Sequence, residues 1–132
     1  RLMQQPWTMT SSDGALGPFG VGGEHPRAYG AFPRKFRRYV LDREVVSMAK
    51  AIHASTGLSA EVFSIPDRGV LRAGAYADVL VFDPETIRDV ATYQQPHAYS
   101  EGMEYIFVNG KPAVMDGEVT DERHGRVLRR GQ

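Results

Sequence analysis

Between Gly14 and Gly30 the chain sets Gly17, Gly20, Gly22 and Gly23 among Pro18 and Pro26. Glycine opens backbone conformations that other residues avoid and proline withholds an amide donor, so this density predicts a long loop without regular structure, able to approach a ligand closely. Long loops inside compact domains tend to carry function. Whatever precedes the loop must be positioned by the fold around it, and the run Gln5-Pro6-Trp7-Thr8-Met9-Thr10-Ser11-Ser12-Asp13-Gly14 reads as the middle of a fold, a buried strand ending at Asp13. With Arg1 in place of an initiator methionine, the chain is expected to be a fragment. Its 132 residues, 42% of them hydrophobic, suit one ordinary domain or a piece of a larger one and exclude a disordered tail.

Downstream of the loop the pattern turns helical. Arg34-Lys35-Phe36-Arg37-Arg38-Tyr39-Val40 predicts a solvated helix face with Phe36 and Tyr39 or Val40 packed inward. Asp42 stands where an N-cap is wanted, and Val45, Met48, Ala49 and Ile52 follow at i, i+3, i+4 and i+7, one apolar stripe. Gly57 is expected to end that helix as its C′ residue. Ser59 can cap a shorter helix through Phe63, and Pro66 blocks continuation. His53 falls near a helix C-terminus, where a surface imidazolium is favoured.

After Gly69 the texture becomes β. Val79-Leu80-Val81-Phe82, bounded by Asp78 and Asp83-Pro84, predicts a fully buried strand. Tyr105-Ile106-Phe107-Val108 and Ala113-Val114-Met115 flank Asn109-Gly110, whose preference for positive φ predicts a type I′ hairpin. Pro112 places its strand at an edge or gives it an irregular start. Asp116-Gly117 makes a second turn before Glu118-Val119-Thr120, and Gly125 to Arg130 is expected to add a last strand. The second half is thus a small antiparallel sheet with Val79, Val81, Ile106, Val108 and Val114 facing inward. Ile87 to Gly102 is a long irregular connection. One β-loop-α unit cannot close a barrel, so most of the parent fold is expected to be missing.

Sixteen basic and sixteen acidic side chains cancel, so no global field draws the chain to nucleic acid or acidic lipid. Without cysteine there is no disulfide framework, thiolate zinc site or cysteine nucleophile, and any metal must be held by His, Asp or Glu. No apolar run approaches the roughly 20 residues a membrane-spanning helix needs, and Arg1 to Gln5 lack the order of a signal peptide. The expectation is a soluble, cytoplasmic protein.

Among residues able to carry chemistry, Asp13 leads, because α/β folds keep catalytic groups at the carboxyl ends of their strands; Ser-Asp-Gly is equally an ordinary turn. Arg27 could clamp a carboxylate through its planar fork, and His25 could serve as base or ligand, or both could simply tie down the loop. No His-x-His or His-Glu-x-x-His spacing, phosphate-loop ending or glycine-flanked nucleophilic serine is present. His97 and His124 read as surface residues.

Four segments together, Ser11-Ser12-Asp13-Gly14, His25-Pro26-Arg27-Ala28-Tyr29-Gly30-Ala31-Phe32-Pro33-Arg34, Asp67 to Pro84 and Val108-Asn109-Gly110, resemble the C-terminal portion of the N-acyl-D-amino-acid deacylases (D-aminoacylases) of the amidohydrolase superfamily. The Asp67–Pro84 pattern is shared with dihydroorotases, hydantoinases and adenine deaminases; the His-Pro-Arg segment is narrower and points to the deacylases. The resemblance implies an α/β plus β fold: residues 1–66 as the last strand, glycine-rich active-site loop and final helices of a TIM-type barrel, with the helix from Asp42 closing it, and residues 67–132 as the C-terminal strands of a small β-sandwich. It implies Asp13 as the catalytic, proton-shuttling carboxylate beside a zinc-bound water and as a metal ligand, with Arg27, His25 and Gly14 at the substrate. The implied substrate is an N-acyl-D-amino acid, with neither nucleic acid nor membrane as partner. The family's early histidine pair, cysteine ligand and mid-barrel histidines have no counterparts here, so the isolated chain is expected to be inactive and to associate with itself or with the missing N-terminal portion. Two alternatives stand beside this: another amidohydrolase acting on a cyclic amide or a base, which would need no carboxylate clamp at Arg27, and a non-catalytic β-rich interaction module.

Overall fold

The computed structural model describes residues 1–15, 17–22 and 25–129. Leu2–Gln4 form one 3₁₀ turn, and the chain then runs without strand pairing to the glycine-rich loop. The strand expected to end at Asp13 is therefore not formed. A strand exists only through ladders to its neighbours, and among the described residues the one long-range backbone bond of this segment is Thr10 N–H to Ala54 O at 2.9 Å. The loop also ends sooner than expected: helix α1 spans Arg27–Arg34, so Gly30 is helical and buried. Gly23 lies outside the described residues.

Two residues after Pro33, whose ring removes an amide from the last turn, α1 widens into a π-helical segment, Lys35–Leu41. Phe36 and Val40 point inward as expected and join Val46, Ala51 and Ile87 in the main core cluster. Phe82 reaches this cluster from the sheet, its ring 5.6 Å from that of Phe36. The core thus draws on both halves of the chain.

Helix α2 is Met48–Ser55, and its N-cap is Ser47, whose Oγ accepts the Lys50 amide at 3.3 Å. Asp42 does not cap it. Asp42 has helical backbone angles, closes the π segment through its amide to Arg37 O, and pairs with Arg37 at 2.9 Å; a cap needs the extended conformation that Ser47 adopts. The buried face is correspondingly rotated. Ala51 and Ala54 are buried, while Ala49 and Ile52 of the expected stripe are exposed; Val45 and Met48 do touch the core. Alanines suit that face because the Thr10 backbone lies directly on it.

Gly57 opens the next helix, α3 (Gly57–Val62), instead of ending α2; the break is at Thr56. A Cβ on Gly57 would lie 3.1 Å from His53 Nδ1, so close packing of the two helices is what the site requires. Ser59 donates to Ala54 O at 3.3 Å and caps nothing.

Strands β1 (Val79–Phe82), β2 (Met103–Val108), β3 (Lys111–Met115) and β4 (Glu118–Val119) form an antiparallel sheet in sequential order. Asn109 and Gly110 both have positive φ, as do Asp116 and Gly117, which gives the two expected tight turns. Pro112 faces Phe107 where the β2–β3 register shifts, the irregular start its missing amide demands. β1 is not fully buried: Leu80 is 53% and Val81 44% exposed, because β1 is an edge strand with one neighbour, and Val81 does not face inward. No strand forms over residues 125–129, which find no partner edge, and Arg130 lies outside the described residues. The Ile87–Gly102 connection carries one bridge, Arg88 to Glu101.

The hairpin is fastened to the preceding segment by Asp78, whose Oδ1 accepts the Asn109 amide at 2.8 Å and whose Oδ2 pairs with Arg68. Arg68 also holds Asn109 Oδ1 and lies over the Tyr76 ring at 4.2 Å, with Arg126 at 4.1 Å. Among the described residues no helix is long and apolar enough to cross a membrane.

Candidate active site

The glycine-rich loop leaves from Asp13 and returns to the first turn of α1. Gly14 makes the closure possible: a Cβ there would stand 2.9 Å from Ala28 Cα. Two local side-chain bonds shape the departure, Asp13 N–H to Ser11 Oγ at 3.4 Å and Gly14 N–H to Ser12 Oγ at 3.2 Å. Asp13 itself takes φ 49°, a left-handed backbone that Asp tolerates better than most residues. That kink turns its carboxylate outward, 82% exposed, where Oδ2 meets Arg27 Nη2 at 3.1 Å. The two residues singled out at either end of the loop are therefore brought together.

His25 lies beside this pair but does not contact Asp13 by a hydrogen bond. Its Nδ1 accepts the Arg27 backbone amide at 3.1 Å, and its Nε2 is 3.1 Å from the Tyr93 hydroxyl, with the two rings edge to face. Tyr93 sits in a turn closed by Thr92 N–H to Gln95 O and by Gln95 N–H to Thr92 Oγ1, both 3.0 Å. The connection bearing that turn docks on α1 at Gly30, where a Cβ would fall 2.7 Å from Asp89 Cβ. One turn on, Arg34 Nη1 donates to Asp89 Oδ2 at 2.8 Å, a bond that raises the Arg34 pKa above its ordinary value. Between α1 and the connection lies a cavity of about 380 Å³ lined by His25, Arg27, Arg34, Asp89, Thr92 and Tyr93, among others.

Tyr93 and Asp89 escaped sequence reasoning, because they belong to a stretch with neither periodicity nor motif. Phe19 is a third such residue: it stacks on Tyr99 at 4.7 Å and meets the Tyr29 ring edge at 5.7 Å, which fixes the middle of the loop. His97 is half-buried and bonds the Tyr29 hydroxyl at 3.0 Å, so it is not a free surface residue. Neither is His124, whose side chain is 9% exposed; a Glu122 oxygen is 2.9 Å from Nε2 but out of hydrogen-bond alignment. His53 is exposed at the end of α2, as expected.

Among the described residues no group of three or more His, Asp or Glu side chains converges to hold a metal. Asp13 offers oxygen donors, one of them already against a guanidinium. The described residues do not by themselves supply the donor set of a metal centre.

Residues 1–114 match the sequence pattern of the Amidohydrolase family. The N-acyl-D-aspartate deacylase of Alcaligenes xylosoxydans xylosoxydans is 40% identical over 132 residues, 99% of this chain and 26% of the relative. The N-acyl-D-glutamate deacylase of the same organism is 41% identical over 130 residues, 98% of this chain and 26% of the relative. Among solved structures, the N-acyl-D-glutamate deacylase of Bordetella bronchiseptica, complexed with zinc and a phosphonate mimic of the tetrahedral intermediate, superimposes with a TM-score of 0.81 at 39% identity. The match covers 96% of this chain and 26% of that one. The chain spans about a quarter of the length of the curated relatives it matches.

Proposed function

The chain belongs to the amidohydrolase family, and from that premise we propose that it is the C-terminal portion of an enzyme that cleaves the amide bond of N-acyl-D-amino acids. The observation that carries this reading is the Asp13–Arg27 pair, which joins a proton acceptor to a carboxylate receptor across the two ends of one glycine-rich loop. An exposed carboxylate can take the proton of an attacking water and return it to the leaving amine, general base and then general acid. Arg27 holds that carboxylate in place, and its planar fork receives the carboxylate of the substrate. Gly14 lets the loop fold against α1, so that base and receptor share one rim.

In this reading residues 1–66 supply the last strand, loop and helices of a TIM-type barrel, and the four-stranded sheet lies within residues 67–132 as part of a β-sandwich. The segment before Asp13 would gain its strand pairing from barrel neighbours outside this chain. The same holds for metal ligands: Asp13 contributes to a zinc site whose remaining ligands lie elsewhere in the protein, and the chain alone is inactive. The substrate preference follows the relatives that act on N-acyl-D-aspartate and N-acyl-D-glutamate.

The test is kinetic and uses the intact protein with N-acetyl-D-glutamate and its α-amide. Asp13→Asn should lower kcat by about 10²–10⁴ while leaving the fold intact, since the amide cannot accept the proton. Arg27→Lys should raise KM for the acid more than for the amide, because an ammonium lacks the two-point fork. Retained kcat in the first variant, or equal KM changes in the second, would remove the residue concerned from its role.

A further inference from the structure

We infer that Tyr93 and His25 form a positioning pair for Arg27, the Tyr93 hydroxyl fixing the orientation of the imidazole that anchors the first turn of α1; the inference rests on the deacylase reading of Arg27. His25 Nδ1 accepts the Arg27 backbone N–H at 3.1 Å, so Nδ1 carries no proton in this arrangement. A neutral imidazole then has its proton on Nε2, the nitrogen 3.1 Å from the Tyr93 hydroxyl. The Arg27 amide, which can only donate, fixes this tautomer, and the Tyr93 hydroxyl accepts the Nε2–H hydrogen bond and so holds the ring in its orientation. The edge-to-face contact of the two rings, centroids 5.1 Å apart, holds the imidazole in plane for both bonds.

The pair is built, not incidental. Tyr93 is carried on a turn closed by two hydrogen bonds, and the stem of that turn is locked to α1 by Arg34–Asp89 and by the close approach at Gly30. The connection and helix therefore move as one body, and the His25 ring bridges them at the residue whose guanidinium reaches Asp13. Without the Arg27 amide bond, the first turn of α1 loses an acceptor for one of its unpaired donors, and the Arg27 fork loses its registration against the substrate carboxylate. Neither Tyr93 nor His25 needs to touch substrate for this.

A double-mutant cycle in the intact enzyme tests it. Tyr93→Phe should raise KM for N-acetyl-D-glutamate by about twofold to threefold, the low end for one neutral hydrogen bond because Tyr93 is exposed, with little change in kcat. His25→Ala should do at least as much. His25→Asn should recover most of that loss, because an Asn oxygen accepts the amide two residues on without a ring for Tyr93 to orient. In the His25→Asn background, Tyr93→Phe should then have no effect on KM. Additive losses, or an Asn variant as impaired as the Ala one, would overturn the positioning role. Nitrogen NMR of His25 in the intact protein supplies a readout independent of activity: a protonated Nε2 and bare Nδ1 in the wild type, with the Nε2–H chemical shift moved by loss of the hydroxyl acceptor in Tyr93→Phe. A wild-type Nδ1–H would sink the inference whatever the kinetics. If the NMR holds while Arg27→Lys leaves KM unchanged, the fault lies in the deacylase reading and not in the pair.

Discussion

At the scale of single residues, the sharpest contrast is between two cations. Arg27 lies at an exposed loop end beside Asp13, whereas Lys35 is buried and, among the described residues, donates to the Thr10 hydroxyl alone. Burial disfavours the ammonium and lowers the Lys35 pKa below its ordinary value of 10.5, with no carboxylate acting against it. The sign of the pH dependence follows. Between the lowered folded pKa and the unfolded value, the unfolded chain binds more protons, so stability rises with pH through that window. Below it both states are charged, and the burial penalty is constant and largest. Lys35→Met should therefore stabilise the chain at neutral pH, and should flatten the stability profile on its alkaline side. Denaturant melts of both proteins across that range decide the matter; a variant less stable at neutral pH would show that the Thr10 contact outweighs the cost of burial.

At the scale of elements, the hairpins depend on local chemistry that any reader of the chain can see. Asn109-Gly110 and Asp116-Gly117 adopt the positive φ their side chains tolerate, and the strands on either side follow. What holds the first hairpin in place is non-local: Asp78 accepts the Asn109 amide while Arg68 bridges the two side chains from a position shielded by Tyr76. Arg68→Ala leaves Asp78 without its cation and Asn109 Oδ1 without its donor, so a loss of about 2–4 kcal/mol is expected, more than for an exposed pair such as Arg72–Asp67. Hydrogen exchange should speed up across Tyr105 to Met115 in that variant and stay unchanged in Arg72→Ala; equal effects would refute the ranking. The same division explains what could be read ahead of the structure. Turn residues, the inward Phe36 and Val40, and the Asp13 and Arg27 candidates rest on neighbours in sequence or on motif. The rotated face of α2 rests on Thr10 lying over Ala54, the role of Gly57 on its distance to His53, and the pairing of Tyr93 with His25 on a docked connection. Those contacts are set by packing across tens of residues, and no periodicity encodes them.

At the scale of the whole molecule, the core is small for the surface it must support. Phe36, Val40, Val46, Ala51 and Ile87 make its main cluster, while Val62, Phe63, Leu80 and Val119 remain exposed and Trp7 is 69% exposed. Burying apolar area stabilises by roughly 25 cal/mol per Å², against about 1–2 kcal/mol of backbone entropy per ordered residue. A four-stranded sheet with one side open meets that cost only with a cover. These five lie on β1, on β4, at the end of α3 and in the segment before Asp13, the places where the proposed barrel and sandwich would continue. At micromolar concentration the 132-residue chain should therefore sediment as a self-associated species and not as a monomer. Trp7, its only tryptophan, gives an independent signal: its emission should shift to the blue when the chain is co-expressed with the remainder of the proposed enzyme, because under the proposed barrel the indole would pass from water into a packed wall. A strictly monomeric chain with strong exchange protection from Tyr105 to Met115 would mean that the core is complete as it stands. The open faces would then be ordinary surface, and the assignment of residues 67–132 to a shared sandwich would fall, leaving the Asp13–Arg27 site to be judged on its kinetics alone.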